Sequence, residues 1–480
     1  MTRILMVATE GLPYIKTGGL ADVIGSLPAE LLAKGHDVRI VLPLYKKIAA
    51  KWHDQFTFEK TYYVNINYEE TQVNLYSHVY NGLTYYFIEH QGYFERDALY
   101  GYEDDGERFA YFQKAVLEML NQLDFFPEIM HCHDWHTGMI ACMCKENFNH
   151  DWRYRSIKHV YTIHNLAFQG NFGPAMLDSC LGLGSYVFDN GNVRFDGGIS
   201  FMKTAIVYSD KITTVSPNYA EEIKTTQYGE RLESVLRFRE ADLCGVVNGI
   251  DEEMWNPAKD PLIAKNYSAR TFRSGKTANK VALQEKLGLE VNGDVMMLGL
   301  VSRLTWQKGI YLIIEQLFNI INQPIQLVVL GSGEAGLEEK LREAEANNKG
   351  KVAFYCGYNE ALAHEVYAAS DLFLMPSLFE PCGLSQMISM RYGSLPLVRE
   401  TGGLKDTVPA YNPATGEGVG FSFTNYNSND MMHVLWEAID LYYNDKNTWK
   451  TIVRAAMAKD VSWRTSAELY IGIYNELTGE

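Results

Sequence analysis

Two segments far apart in the chain carry nearly the same residues: Thr17-Gly18-Gly19-Leu20-Ala21-Asp22 and Thr401-Gly402-Gly403-Leu404-Lys405-Asp406. Each stands where a helical pattern begins. Glycines at a helix start leave backbone N–H groups uncovered, and the helix dipole draws an anion to them. A single Gly-Gly is weak, since a tight turn explains it as well. Two copies, one in each half, point to one phosphate-bearing ligand served by two domains. Lys16 precedes the first loop and adds a positive charge to it.

Other groups stand at the ends of apolar runs. Arg303 and Lys308, in Ser302–Gly309, follow such a run, at the strand end where open α/β sheets bind ligands. A forked guanidinium and a point charge together suit a diphosphate. Gly331-Ser332-Gly333 forms another close-approach loop. Phe379-Glu380-Pro381-Cys382-Gly383-Leu384 places a carboxylate where it can accept from sugar hydroxyls and steady positive charge on a glycosyl centre. His131-Cys132-His133-Asp134-Trp135-His136, with Cys142 and Cys144 nearby, invites a zinc reading. Alternate strand residues point to opposite faces, so the three histidines do not converge by themselves. A strand ending in a cleft, with Asp134 and His133 exposed, fits better. His164-Asn165 and Asn248-Gly249 end two further runs at the same edge.

The elements that must hold these residues alternate. Arg3–Thr9 and Asp37–Leu42 read as buried strands around a helix with Leu20, Val23, Ile24, Leu27 and Leu31 on one face, stopped at Gly35. Thr57–Ile88 alternates and predicts antiparallel hairpins. Strand runs continue at Glu128–His131, His159–Ile163, Lys211–Val215 and Leu243–Val247. A polar, loop-like stretch from Asn248 to about Thr277 marks a boundary, and the rhythm then restarts at Val295–Val301, Ile325–Leu330, Lys351–Tyr355, Asp371–Met375 and Leu395–Val398. Both halves read as doubly wound α/β. The tail, with Trp463, Ala467, Tyr470, Ile471 and Tyr474 on one face, is an amphipathic helix that needs a surface to dock on.

At 480 residues the chain exceeds one hydrophobic core. Its formal charge of −16 disfavours nucleic acid and anionic membranes as partners, while a neutral polymer is indifferent to it. Seven scattered cysteines without a Cys-x-x-Cys predict free thiols in a reducing compartment. No basic-then-apolar leader and no membrane-length apolar run occurs, so a cytoplasmic protein is expected.

The combination resembles the bacterial-type glycogen synthases and the plant starch synthases. It rests on Lys16-Thr17-Gly18-Gly19-Leu20, His133-Asp134-Trp135-His136, Tyr161-Thr162-Ile163-His164-Asn165, Asn248-Gly249-Ile250-Asp251, Arg303 to Gly309, Glu380 to Leu384 and Thr401-Gly402-Gly403-Leu404, in family order across nearly the whole chain. The resemblance implies a GT-B fold: two Rossmann-like domains facing across a cleft, 1–248 on the acceptor side and 249–460 for the nucleotide sugar, with a helix at 461–480 crossing back to the first domain. It implies glucose transfer from ADP-glucose to the non-reducing end of an α-1,4-glucan, with retention. Lys16 and both Gly-Gly loops would hold phosphate, with Thr401 beside the second. Arg303 and Lys308 would neutralise the leaving ADP, Glu380 would bind the glucose, and Cys382, Gly383 and Leu384 would belong to the ADP-glucose site. Asp134, His164 and Asn248 would line the donor and acceptor side, and Tyr358 would stack on adenine.

The chain has no Asp-x-Asp, the pair with which single-domain, metal-dependent glycosyltransferases hold a divalent ion. Arg303, Lys308 and the helix starts would replace that ion, so neither metal nor cofactor is expected. Ile388 stands where many retaining GT-B relatives carry a second Glu; the glycogen synthase branch also lacks it, which favours the narrower assignment. The alternatives are another retaining GT-B transferase of the sucrose, trehalose or glycolipid type, a sugar-nucleotide epimerase, a phosphorylase, or a non-catalytic glucan-binding protein.

Overall fold

Apolar runs separated by helical stripes return the chain so that successive strands lie parallel. The computed structural model describes residues 1–479 and divides into two units: Met1–Asn248 together with the chain from Trp463 onward, and Gly249–Ser462.

The first unit contains β1 (Arg3–Val7), β2 (Asp37–Pro43), β3 (Thr57–Ile66), β4 (Glu69–Tyr80), β5 (Leu83–Glu89), β6 (Ile129–His133) and β7 (Lys158–Ile163). A small separate sheet of β8 (Asn171–Phe172), β9 (Arg194–Phe195) and β10 (Gly198–Ser200) follows, then β11 (Lys211–Thr214) and β12 (Leu243–Gly245). The large sheet has the order β12-β11-β7-β6-β1-β2-β5-β4-β3. It is parallel from β12 to β5, and the expected hairpins add β4 and β3 antiparallel at the edge. The chain winds outward through β1, β2 and β5, then reverses to β6, β7, β11 and β12.

The second unit repeats the plan with β13 (Met296–Val301), β14 (Ile325–Gly331), β15 (Val352–Cys356), β16 (Leu372–Met375), β17 (Leu395–Arg399) and β18 (Phe421–Phe423). Their order, β15-β14-β13-β16-β17-β18, is parallel throughout. Winding reverses between β1 and β6 in one unit and between β13 and β16 in the other. In such sheets the carboxyl ends beside the reversal open a crevice, and ligands bind there.

Three local features differ from the sequence reading or sharpen it. β6 continues past His131 because His133 pairs with Thr162 of β7. The strand alternation then puts His131 and His133 on one buried face, and His133, expected to be exposed, is 0% exposed. The polar stretch after Asn248 packs onto its own unit: Asp260 accepts from the Tyr392 hydroxyl (2.5 Å) and pairs with His364 (2.7 Å), on which Trp255 stacks at 4.1 Å. The helix Phe272–Leu287 accordingly begins before Thr277. The C-terminal helix Trp463–Thr478 buries Trp463, Ser466, Ala467, Tyr470 and Tyr474 within the first unit, beside the helix Gly19–Ala33. Ile471 sits half-buried at the margin. Among the described residues no helix is long and apolar enough to cross a membrane, and all seven cysteines are free thiols.

Candidate active site

At the reversal of the second unit, the loops after β13 and β16 enclose a cavity of about 190 Å³. Arg303, Lys308, Ser377, Glu380, Gly383 and Leu384 line it. Two close approaches bring these loops together. Gly309 has φ +69°, and a Cβ there would lie 1.9 Å from the Pro376 carbonyl oxygen. This contact draws Lys308 beneath the end of β16, where its Nζ meets Glu380 Oε2 at 2.6 Å. Ser377 Oγ donates to the same oxygen at 3.2 Å. Glu380 is 6% exposed, so its charge is balanced at once by an ammonium and a hydroxyl. Its Oε1 makes no hydrogen bond within the described protein. Arg303 is exposed at the rim, and its guanidinium has neither hydrogen bond nor ion pair among the described residues. The site therefore presents one free guanidinium, one ammonium shared with a carboxylate, and one free carboxylate oxygen.

The second Thr-Gly-Gly-Leu loop packs against this wall from behind. A Cβ on Gly402 (φ +45°) would stand 1.9 Å from the Glu380 carbonyl oxygen, and one on Gly403 would stand 2.2 Å from that of Cys382. The Gly403 N–H already donates to the carbonyls of Glu380 and Pro381 at 3.1 Å each. Its helix, Gly402–Thr407, has only six residues, and Thr401 is buried. Gly402 and Gly403, expected to hold phosphate, here pack against the Glu380–Cys382 segment, and the Gly403 N–H is taken up in that packing. Gly331 and Gly333 serve the same end, each pressed on the backbone of Ser302–Leu304. Tyr358, after β15, is 73% exposed.

The first loop is different. Added Cβ atoms at Gly18 and Gly19 would meet nothing within 4 Å, and the helix that follows, Gly19–Ala33, has 15 residues. Its anion site is nonetheless partly filled from inside. Glu10, just past β1, accepts from the Thr17 hydroxyl (2.6 Å), the Thr17 N–H, the Gly18 N–H (3.1 Å) and the Tyr100 hydroxyl (2.9 Å). The N–H groups of Gly19 and Leu20 have no partner among the described residues, and Lys16 pairs with Asp22 at 2.6 Å. Glu10 and Tyr100 are the residues that reading motifs missed. The available signal was position, since Glu10 follows closely on the strand at the reversal.

Across the reversal, Asp134 follows β6 with φ +58° and ψ 176°, a conformation that ordinary side chains avoid. Its Oδ1 accepts the His164 N–H at 2.9 Å. Burial pushes the Asp134 carboxyl up to about 7, against the pull of the His164 and Asn165 N–H groups. His164, after β7, touches His133 through Nε2 at 3.0 Å, and burial takes its imidazole down to about 3. It therefore stays neutral at working pH. Asn248, which ends the first segment of this unit, is buried with its Oδ1 unpartnered. The three site residues Lys16, Asp134 and His164 thus all lie at the carboxyl edge of the first sheet, as Arg303, Lys308 and Glu380 do in the second.

Residues 3–238 match the family described as starch synthase catalytic domain, and residues 285–457 match glycosyl transferases group 1. The chain is similar to the glycogen synthase of Clostridium perfringens: 48% identical over 477 residues, 99% of this chain and 98% of that one. It is 46% identical over 475 residues to that of Geobacillus stearothermophilus, again covering 99% and 98%. The solved catalytic domain of starch synthase IV from Arabidopsis thaliana, bound to ADP and acarbose, superposes with a TM-score of 0.92 at 34% identity, with 100% of each chain covered. A sucrose-phosphate synthase from Thermosynechococcus elongatus, at a TM-score of 0.62 and 15% identity over 100% of each chain, shares the fold.

Proposed function

The chain belongs to the glycogen synthase family, and from that premise we propose that it transfers glucose from ADP-glucose to the non-reducing end of an α-1,4-glucan with the α configuration retained. The fold is GT-B. The observation that carries the reading is the pairing of an unengaged Arg303 with the Lys308–Glu380 ion pair around one cavity. An anionic leaving group has a cation waiting for it there, and a sugar has a carboxylate oxygen. ADP in the solved starch synthase supports a nucleoside diphosphate as that leaving group.

In this reading Arg303 and Lys308 receive the departing diphosphate, and Glu380 Oε1 accepts from glucose hydroxyls. Cys382, Gly383 and Leu384 shape the glucose pocket, and Tyr358 stacks on adenine. Lys16 and the loop of Gly18 and Gly19 meet phosphate, through the free N–H groups of Gly19 and Leu20. Asp134, His164 and Asn248 position sugar on the acceptor side. Retention through a covalent enzyme intermediate requires a free carboxylate nucleophile. Glu380 is committed to Lys308 and Ser377 and makes a poor one. The displacement instead occurs on one face. The bond from the glucose anomeric carbon to the ADP oxygen breaks as the bond to the acceptor oxygen forms, and the acceptor hydroxyl proton passes to the leaving phosphate oxygen. Fixed positive charge around the diphosphate supplies the main catalytic effect.

Initial rates with ADP-glucose and UDP-glucose at equal concentration, with glycogen as acceptor, test the donor. ADP-glucose should be faster by about tenfold or more. Equal rates, or a preference for UDP-glucose, would contradict the donor assignment.

A further inference from the structure

His131 and His133 stand two residues apart on the buried face of β6, under the C-terminal helix. His131 is held at both ring nitrogens: Nδ1 by the Tyr474 hydroxyl at 2.8 Å, and Nε2 by Thr162 Oγ1 at 2.6 Å. Thr162 is held in turn by Thr213 Oγ1 at 2.6 Å. The fixed His131 ring is the floor for His133, which stacks on it at 4.2 Å with 29° between the planes. The His133 ring has one hydrogen-bond contact, from Nδ1 to His164 Nε2 at 3.0 Å, and its own Nε2 is sealed from solvent without a partner. His164 is half-buried, and its Nδ1 makes no hydrogen bond within the protein.

This arrangement decides where the protons sit. A neutral imidazole carries one N–H, and one of the two rings donates in the His133–His164 contact. If His164 donates, the His133 proton is left on Nε2, as a buried N–H with nothing to receive it. If His133 donates, its Nε2 is a bare lone pair, and buried acceptors without a partner are tolerated somewhat better than orphaned donors. Charging either ring is costlier still, since burial and the neighbouring histidine hold His133 well below its ordinary value. The geometry points to His133 as a positioning residue that fixes His164 as a neutral donor, with its proton on Nδ1 and directed away from the protein interior. Resting on the glucosyl-transfer reading, that N–H is the group that grips a sugar oxygen, and His164 cannot act as a base.

The test uses the full-length protein, labelled with ¹⁵N-histidine, and two variants. In His133→Asn the amide N–H₂ occupies the place of Nδ1–H. In His133→Phe the ring and its stack remain but the donor is gone. His164 signals, assigned by their loss in His164→Gln, should report the Nδ1–H tautomer in the wild type and in His133→Asn, and a mixture in His133→Phe. kcat/KM for glucosyl transfer should fall about tenfold or more in His133→Phe and stay within about threefold in His133→Asn. A wild-type His164 protonated on Nε2 or on both nitrogens would overturn the inference, as would a tautomer unchanged in His133→Phe. If a variant does not fold, the wild-type spectrum alone decides. The tautomer is read without turnover, so a wild-type protein inactive on ADP-glucose would sink the functional reading and leave this one standing.

Discussion

At the scale of single residues, burial and partnership separate groups that serve the fold from groups that serve chemistry. Arg303 is exposed and unpaired, so its removal costs the fold little. Arg303→Ala should leave the melting temperature unchanged within error and lower kcat by about a hundredfold, the usual cost of one preorganised charge at a developing anion. A loss below about tenfold, roughly 1.4 kcal/mol, would contradict its role. Asp134 is the opposite case, since it combines an unfavourable backbone with a carboxyl raised from 3.8 to about 7. Between those values the folded chain keeps a proton that the unfolded chain has lost. The stability from Asp134 is therefore complete below about pH 4 and lost as pH rises through about 7. Asp134→Asn should melt progressively higher than the wild type as pH increases from about 5 to 8, a gain on the order of 2–3 kcal/mol, while activity falls. A wild-type-to-variant difference that does not change with pH would refute the shift. Motif reading singled out Arg303, Lys308, Glu380, Asp134 and His164 as candidates, because their types and strand-end positions are local. It missed Glu10 and Tyr100, and it placed His133 in solvent. Glu10 meets Tyr100, and His133 meets His164, across 90 and 31 residues of chain, and such partners are set by the fold rather than by local pattern.

At the scale of elements, the two Thr-Gly-Gly-Leu loops look equivalent in sequence and differ in three dimensions. Identical glycines can serve open space or close packing, and only the opposing backbone tells which. Gly402→Ala forces a methyl group onto the Glu380 carbonyl and should destabilise by more than about 2 kcal/mol, displacing Glu380 as it does so. Gly18→Ala meets nothing, at an extended φ of −150°, and should melt within about 0.5 kcal/mol of the wild type while raising KM for the donor. Thermal melts of the pair, with KM for each, check both statements, and equal destabilisation would refute the distinction. The amphipathic tail helix was legible from its spacing. Its Tyr474 hydroxyl, aimed at His131, was not, because some 340 residues separate the partners. Tyr474→Phe leaves His131 Nδ1 buried and unpartnered and should cost about 1–2 kcal/mol in denaturant unfolding. No measurable cost would mean that the hydroxyl does not hold the ring.

At the scale of the whole molecule, each unit winds in the same order and gathers its polar residues at the same kind of sheet edge. The alternation of runs and stripes made the doubly wound class readable, since periodicity is a local property. Strand order was not readable, because nothing in β1 names β6 as its neighbour. The cations that suit a diphosphate lie in the second unit, and the strained Asp134 with its neighbour His164 lies in the first. The central claim is that this set of residues builds an α-glucan from a nucleotide sugar. Incubation with ADP-glucose and a maltooligosaccharide, followed by ¹H NMR of the product, tests it most directly. Oligosaccharides lengthened by α-1,4-linked glucose, with one ADP released per residue added, are the result expected. Release of ADP with only free glucose formed, a β-linked product, or no lengthening at all would contradict the account.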